Sequence, residues 1–389
     1  MTLVFYTNFI NHHQVPLADE FYKMLGDDYK MVTFEPLPES FRLKGYADFS
    51  YKPYLIEAFR SEDNMKKAHQ LSVNSDVVIL GAAPEYLIYE RLKMNKITFR
   101  YGERLFKKVD RRFLRRSYWT KLYHMHTQYR EKPLYMLAAS AYMKSDVNKL
   151  LAYPNKVFKW GYFTNASDID IHQVLENKRN VSKIRILWCG SIAQVKRPDL
   201  IVQLGYMLKK KDIDFHIDMV GEEGGWSGLI QDMIKKLDVE ECVSVLGSFP
   251  NEKLLKMMQD YHIFAFTSDR GEGWGVVLNE AMGSGCTVVV SNRVGSAPFL
   301  IQNKWNGLLF KSGNVDSLYQ QIIALINDCE LRESLAIRAY HTIREEWSPS
   351  KAAENFIRLA DGIMLNSIPQ IIDGPCSKAI IINHKKLIR

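Results

Sequence analysis

Short apolar runs recur along the chain, each ending in small, polar or glycine residues and most followed by a stretch with helical spacing. The first half carries Leu3-Val4-Phe5-Tyr6, Asp76-Val77-Val78-Ile79-Leu80, Lys96-Ile97-Thr98-Phe99-Arg100, Leu134 to Ser140 and Val157 to Phe163. The second carries Ile184 to Gly190, Phe215 to Gly221, Val243 to Leu246, Ile263 to Phe266 and Thr287 to Ser291. Runs of this length, rich in β-branched and aromatic residues, read as buried strands, and stretches such as Leu17 to Met24 and Glu252 to Met258 read as helices. Strand and helix in alternation predict an α/β architecture with parallel sheets.

Three stretches break the alternation. Glu35 to Tyr54 holds prolines and aromatics without periodicity and reads as a long excursion. Thr164 to Lys183 is polar and reads as an interdomain linker, after which a second domain starts near Ile184. Ser348 and Pro349 have the residue types of a helix cap and first helical position, and the helix they open runs to about Leu365. A chain of 389 residues suits two domains, because single cores rarely grow past about 250 to 300 residues.

Candidate chemistry concentrates in Thr267 to Gly285, between the runs at Ile263 to Phe266 and Thr287 to Ser291. Gly271, Gly273 and Gly275 let the backbone take unusual conformations and let a ligand approach closely. Amides at the start of the following helix favour an anion, whereas Glu272 and Glu280 repel one and accept hydrogen bonds from hydroxyls. Phosphate beside polyol describes a sugar nucleotide.

The stretch Gly-Glu-Gly-Trp-Gly-x4-Glu-Ala-Met-x-x-Gly, with seven residues between Glu272 and Glu280, resembles the retaining glycosyltransferases of family 4. The resemblance implies a GT-B fold, two Rossmann-like domains facing a cleft, with a C-terminal helix crossing back to the first. It implies a first, acceptor-binding domain over 1–178, a donor-binding domain over 179–347 and the crossover helix over 348–366; the tail 367–389 has no family counterpart. Glu272 would contact the donor sugar, Glu280 the ribose, and Gly273, Trp274, Gly275 and Val276 would line the donor site. Gly190, Ser191, Lys196 and Arg197 resemble the family's glycine, arginine and lysine element, with Lys196 as the diphosphate ligand. Ser191 stands where the arginine is expected, leaving Arg197 or Arg293 to substitute. Ser248 and Phe249 would lie along the base. Asn251 reads as the cap of the helix after them. On the acceptor side the candidates are Asn11, His13 and Glu103, although the loop holding Asn11, His12 and His13 is glycine-rich in the family. Glu272 and Lys196 are the catalytic candidates of a metal-independent hexosyltransferase. Neither metal nor cofactor is expected beyond a nucleotide-sugar co-substrate, UDP- or GDP-linked.

Net charge is +8 and the pI near 9.0, which admits anionic partners. From Arg104 to Arg116 a helix would place Phe106, Val109 and Phe113 on one side with basic residues elsewhere, and Tyr118 and Trp119 follow. That makeup suits an anionic membrane surface along 104–119; no nucleic-acid motif accompanies the charge, so nucleic acid is not expected. Five dispersed cysteines without CxxC spacing suggest neither a disulfide framework nor a zinc site. The N-terminus reads as a first strand without a leader pattern, and a cytoplasmic protein, peripheral on the inner face of the membrane, is expected. The resemblance implies transfer of sugar to a glycan or lipid-linked oligosaccharide in cell-surface polysaccharide synthesis. The alternatives are a non-catalytic, membrane-associated sugar-nucleotide-binding protein and another sugar-nucleotide enzyme on the same fold.

Overall fold

The structure, a computed structural model, describes residues 1–42, 47–107 and 111–388. The chain divides into two compact units, Met1–Thr164 with Trp347–Ile381, and Asn165–Glu346 with Ile382–Arg389.

The first unit contains β1 (Leu3–Thr7), β2 (Tyr29–Thr33), β3 (Leu55–Glu57), β4 (Val77–Leu80), β5 (Thr98–Gly102), β6 (Leu134–Ala138) and β7 (Val157–Lys159). They form one parallel sheet in the order β3-β2-β1-β4-β5-β6-β7. Every residue of β1, β4 and β6 is buried, which is why these strands read as continuous apolar runs rather than alternating ones. One face packs Val4, Val78, Leu80 and Met136 against Leu87, Ile88 and Leu92. On the helix Pro349–Met364, the Phe356 ring lies 5.5 Å from Phe21, 4.9 Å from Phe99 and 5.7 Å from Trp160. This helix starts as its sequence predicts: Pro349 occupies the first turn and Ser348 Oγ accepts from Lys351 N at 3.2 Å. It belongs to the first unit although the preceding residues, up to Glu346, belong to the second, so the expected return of the chain is found.

The tail gains a structural role. Lys159 N donates to Ser377 O at 2.8 Å and Cys376 N to Lys159 O at 2.8 Å, and Lys378 bridges Phe158 in antiparallel fashion. These residues occupy hydrogen-bonding groups of the edge strand β7, a common protection of sheet edges.

The second unit contains β8 (Ile184–Cys189), β9 (Phe215–Val220), β10 (Val243–Gly247), β11 (Ile263–Phe266), β12 (Thr287–Ser291) and β13 (Leu308–Phe310). Their parallel order is β10-β9-β8-β11-β12-β13. The strand sequence reverses direction between β8 and β11, where these two neighbours pair only at Ile263 with Ile186 and Phe264 with Leu187. The loops leaving β8 and β11 therefore start at the topological switch point, the place where open α/β sheets bind ligands.

Two expectations need correction. The stretch 164–183 is not simply a linker: the division falls at Thr164 rather than 178, and Ile171–Arg179 is a helix of the second unit. Asp170 caps it by accepting from His172 N and Gln173 N, Ile171 and Leu175 pack on Ala336 and Tyr340, and Lys178 Nζ donates to Gly285 O at 2.6 Å. The single helix drawn over Arg104 to Arg116 is also not found. Residues 103–107 are irregular, Arg111–Leu114 is a 3-10 turn and a separate helix starts at Arg116. Val109 lies outside the described residues, with 108 and 110. Phe106 and Phe113 do meet, with ring centroids 5.4 Å apart, and Trp119 closes the cluster at 6.1 and 5.7 Å from them.

Candidate functional site

The loop after β8 is held to the loop after β11 by its backbone. Asp269 N donates to Val195 O at 2.9 Å, Thr267 Oγ1 donates to Lys196 O at 2.7 Å and the buried Trp188 indole donates to Thr267 Oγ1 at 2.9 Å. A Cβ on Gly271 would sit 2.7 Å from Val195 Cγ2, so the two loops approach as closely as they do only because residue 271 is glycine. Gly275 takes φ +84°, and a Cβ there would also strike the Phe266 ring. Two of the three glycines singled out in the sequence, Gly271 and Gly275, are thus required by geometry.

This clamp brings together the two residues expected to do chemistry. Lys196 Nζ forms an ion pair with Glu272, whose carboxylate also accepts from Ser268 Oγ at 3.0 Å. The Lys196 stem lies across Gly190, whose absent Cβ would be 3.4 Å from its Cγ and Cδ. Glu280 is buried, and Asn251 Nδ2 donates to its Oε1 at 2.7 Å. Burial raises the Glu280 carboxyl above its ordinary value, with the Asn251 hydrogen bond acting against the rise. Burial, and then the charge of Glu280, push the Cys189 thiol up to about 12, which excludes it as a thiolate nucleophile near neutral pH.

Asn251 therefore corrects one reading: Pro250 occupies the cap position of the helix Asn251–Met258, and the amide of Asn251 serves Glu280 instead. Trp274 corrects another. Its side chain is 1% exposed and its indole donates to Asn279 Oδ1 at 2.9 Å, while Ser296 Oγ donates to Trp274 O at 2.7 Å. The ring is part of the core and only backbone remains for a ligand. Arg197, with φ +51°, is bound through two nitrogens by Asp199 at 2.8 and 2.7 Å, and Arg293 Nη1 contacts His384 at 2.8 Å. Both candidate substitutes for the missing arginine at Ser191 thus have partners of their own. Ser191 and Val276 are half-buried, Gly273 is buried and Ser248 exposed. Phe249 is half-buried under Lys253, whose Nζ lies 4.2 Å from the ring centroid.

In the first unit, the loop after β1 is shaped by its own side chains. His13 N donates to Asn11 Oδ1 at 3.0 Å, Asn11 N to Gln14 Oε1 at 3.1 Å and Gln14 Nε2 to Thr7 Oγ1 at 3.1 Å. Burial, aided by His12, lowers His13 to about 3, so its imidazole is neutral near pH 7 and offers a hydrogen bond rather than charge. Glu103 is engaged by Lys107 and by Tyr162, whose hydroxyl donates to it at 3.2 Å.

The raised Glu280 gives a test with a definite sign. A carboxyl whose folded value lies above the ordinary 4.5 destabilises the fold once pH exceeds that ordinary value. Below it, where the group is protonated folded and unfolded, the cost is absent. Glu280→Gln is expected to raise the unfolding midpoint at pH 7, and its advantage is expected to vanish at pH 4. Thermal unfolding of both proteins at the two pH values checks this.

Residues 173–342 match the family model described as glycosyl transferases group 1. A Methanocaldococcus jannaschii protein described as an uncharacterized glycosyltransferase is 29% identical over 150 residues, 38% of this chain and 40% of its own. A Campylobacter jejuni relative is 30% identical over 158 residues, 40% of each chain; its name is N-acetylgalactosamine-N,N'-diacetylbacillosaminyl-diphospho-undecaprenol 4-alpha-N-acetylgalactosaminyltransferase. The chain thus spans about 40% of the length of these curated relatives. Among solved structures, Anabaena HepE in complex with UDP superimposes with a TM-score of 0.70 at 14% identity, covering 93% of this chain and 100% of that one. The two parallel sheets with their helices are those of GT-B glycosyltransferase structures, the fold expected from the sequence.

Proposed function

We propose that this chain is a retaining, metal-independent glycosyltransferase of family 4 that moves a sugar from a nucleotide-sugar donor to a glycan or lipid-linked acceptor. The observation that carries the reading is the Lys196 and Glu272 pair, held by clamped loops where the strand order of the second unit reverses. The bond to be broken joins an anomeric carbon to a nucleoside diphosphate, and negative charge grows on the departing phosphate. Lys196 is the cation at hand. With the diphosphate bound, Lys196 turns from Glu272 to phosphate, and the freed carboxylate accepts hydrogen bonds from the donor sugar. Glu280, already desolvated and oriented by Asn251, is suited to a pair of ribose hydroxyls. Loss of the sugar and delivery of the acceptor's proton to the departing phosphate on the same face need no protein nucleophile, consistent with a Cys189 thiol that stays protonated.

Two of the comparisons support parts of this reading: HepE was crystallised with UDP, and the Campylobacter relative is named for a diphospho-undecaprenol acceptor. Asn11, His13 and Glu103 are the proposed acceptor-side residues of the first unit. No helix among the described residues is long and apolar enough to cross a membrane. Arg111, Arg112, Arg115 and Arg116 are exposed beside Leu114, itself 87% exposed, and this basic, apolar surface supports action at the inner face of a membrane, in polysaccharide synthesis. Ser191 in place of arginine favours one other reading, a donor-binding protein without turnover.

The test is a thermal-shift screen against UDP-, GDP-, ADP- and CMP-sugars followed by product analysis with a lipid-linked saccharide. A donor that raises the midpoint, and whose sugar appears on the acceptor with retained anomeric configuration without added metal, supports the proposal. Binding without transfer supports the non-catalytic reading, and no shift with any donor overturns both.

A further inference from the structure

Asn251 departs from the usual role of its residue type. An asparagine at the mouth of a helix ordinarily caps it. Here it sits one position inside, in the first turn of the helix Asn251–Met258, and its side chain leaves that helix altogether: Nδ2 donates to Glu280 Oε1 at 2.7 Å, 29 positions along the chain. The backbone leads it there. Gly247, with φ +73°, turns the chain out of β10, and Pro250, at φ −54° and ψ 145°, sets the extended entry to the helix. Asparagine is a poorer helix residue than alanine, so its type is explained by its partner rather than by the helix.

That partner is a carboxylate held by little else. Glu280 is 6% exposed, and Asn251 is the only donor to its carboxylate among the described residues. A glutamate side chain has several staggered rotamers, and a hydrogen bond to the charged group selects among them. An ionised carboxylate offers about four lone-pair positions; Asn251 takes one and leaves the others to hydroxyl donors. The thiol of Cys189, the last residue of β8, responds to the charges of Glu280 and Lys196 alike. Glu280 and Lys196 are therefore neighbours across the carboxyl end of β8.

We propose that Asn251 is a positioning residue for the donor: by holding one oxygen of Glu280 it sets the carboxylate to accept from the adjacent hydroxyls of a ribose, and so makes the chain prefer ribonucleotides to 2′-deoxyribonucleotides. The inference rests on the reading of Glu280 as the ribose contact. An amide is the group the arrangement needs. A carboxylate at position 251 would repel Glu280, and an aliphatic side chain would leave a buried carboxylate without its donor.

Calorimetric titration of the full chain with UDP, GDP and ADP and with their 2′-deoxy forms tests it, on whichever base the parent binds. The parent should favour the ribonucleotide by about tenfold, the scale of one hydrogen bond to a charged group, and Glu280→Ala should abolish this preference. Asn251→Ala should abolish most of it, and should weaken binding no further in a Glu280→Ala background, because Asn251 acts through that carboxylate. Asn251→Asp separates positioning from folding. Relative to the parent at the same pH, its ribose preference should be lost at pH 8, where two carboxylates repel, and return at pH 5, where the pair holds a proton that donates as the amide did. A parent that binds none of the three nucleotides or shows no ribose preference, or a Glu280→Ala chain that keeps one, overturns the reading of Glu280 and this inference with it. Preference lost in Glu280→Ala but intact in Asn251→Ala overturns the inference alone. So does a further loss of affinity when Asn251→Ala is added to Glu280→Ala, or an Asn251→Asp preference that is the same at both pH values.

Discussion

Lys196→Ala is expected to lower the transfer rate by about two to three orders of magnitude, the scale of removing one group that stabilises developing negative charge. The loss should fall on kcat as well as on donor affinity, because the charge on the departing phosphate is greatest in the transition state. Folding should change little: the Lys196 side chain is 22% exposed, and the Glu272 it leaves keeps Ser268 as a donor. Lys196→Arg is the informative companion, since a guanidinium preserves charge but not the reach of a stem laid across Gly190. Its kcat should lie between those of the parent and the alanine variant. Glu272→Gln removes the carboxylate without removing the proposed phosphate ligand and should lower kcat less than Lys196→Ala. Steady-state kinetics of the three variants with the donor found by thermal shift would check this, and a Lys196→Ala enzyme with parental kcat would remove Lys196 from the chemistry.

What the sequence made legible was local. The runs at Ile184, Phe215, Ile263 and Thr287 became strands because their residues are buried on both faces, and Ser348-Pro349 opened a helix because a hydroxyl cap and a fixed φ act within one turn. The glycines at 271 and 275 were legible as close-approach positions, though not which atoms approach. Partnerships over long separations were not legible. Asn251 looks like a cap because it precedes Glu252, but Pro250 holds the extended cap conformation at φ −54° and ψ 145°, and the freed amide reaches Glu280. Trp274 looks like a ligand platform in a glycine loop, yet Asn279 supplies an internal acceptor for its indole. The helix Ile171–Arg179 has only Ile171, Val174 and Leu175 as apolar residues in nine, and its stability comes from tertiary partners such as Tyr340 and Gly285 O. The aspartate ahead of it, whose cap is real, was the signal that could have revealed it.

Gly221→Ala is expected to be the most damaging single methyl in the second unit, and to act on the site without touching it. A Cβ at residue 221 would lie 1.8 Å from Gly190 O and 2.6 Å from Gly190 C. These are backbone atoms and cannot swing away, so a turn must move. Gly190 N donates to Val220 O and Gly221 N to Gly247 O, each at 2.9 Å, and displacement sacrifices both hydrogen bonds along with the packing of the turn. The cost should reach about 3 to 4 kcal/mol, which for a unit of this size lowers the midpoint by roughly 6 to 16 °C. Because Gly190 lies beneath the Lys196 stem, the same displacement should move the ammonium and weaken donor binding in protein that remains folded at low temperature. Gly225→Ala is the control: no atom lies within 4 Å of its added Cβ, and both midpoint and affinity should stay near the parent. If Gly221→Ala lost stability but bound donor as the parent does, the turn would be a structural feature independent of Lys196. If it lost both, the turn after β9 would be part of what positions Lys196, the proposed phosphate ligand, three strands' worth of sheet holding one lysine in place.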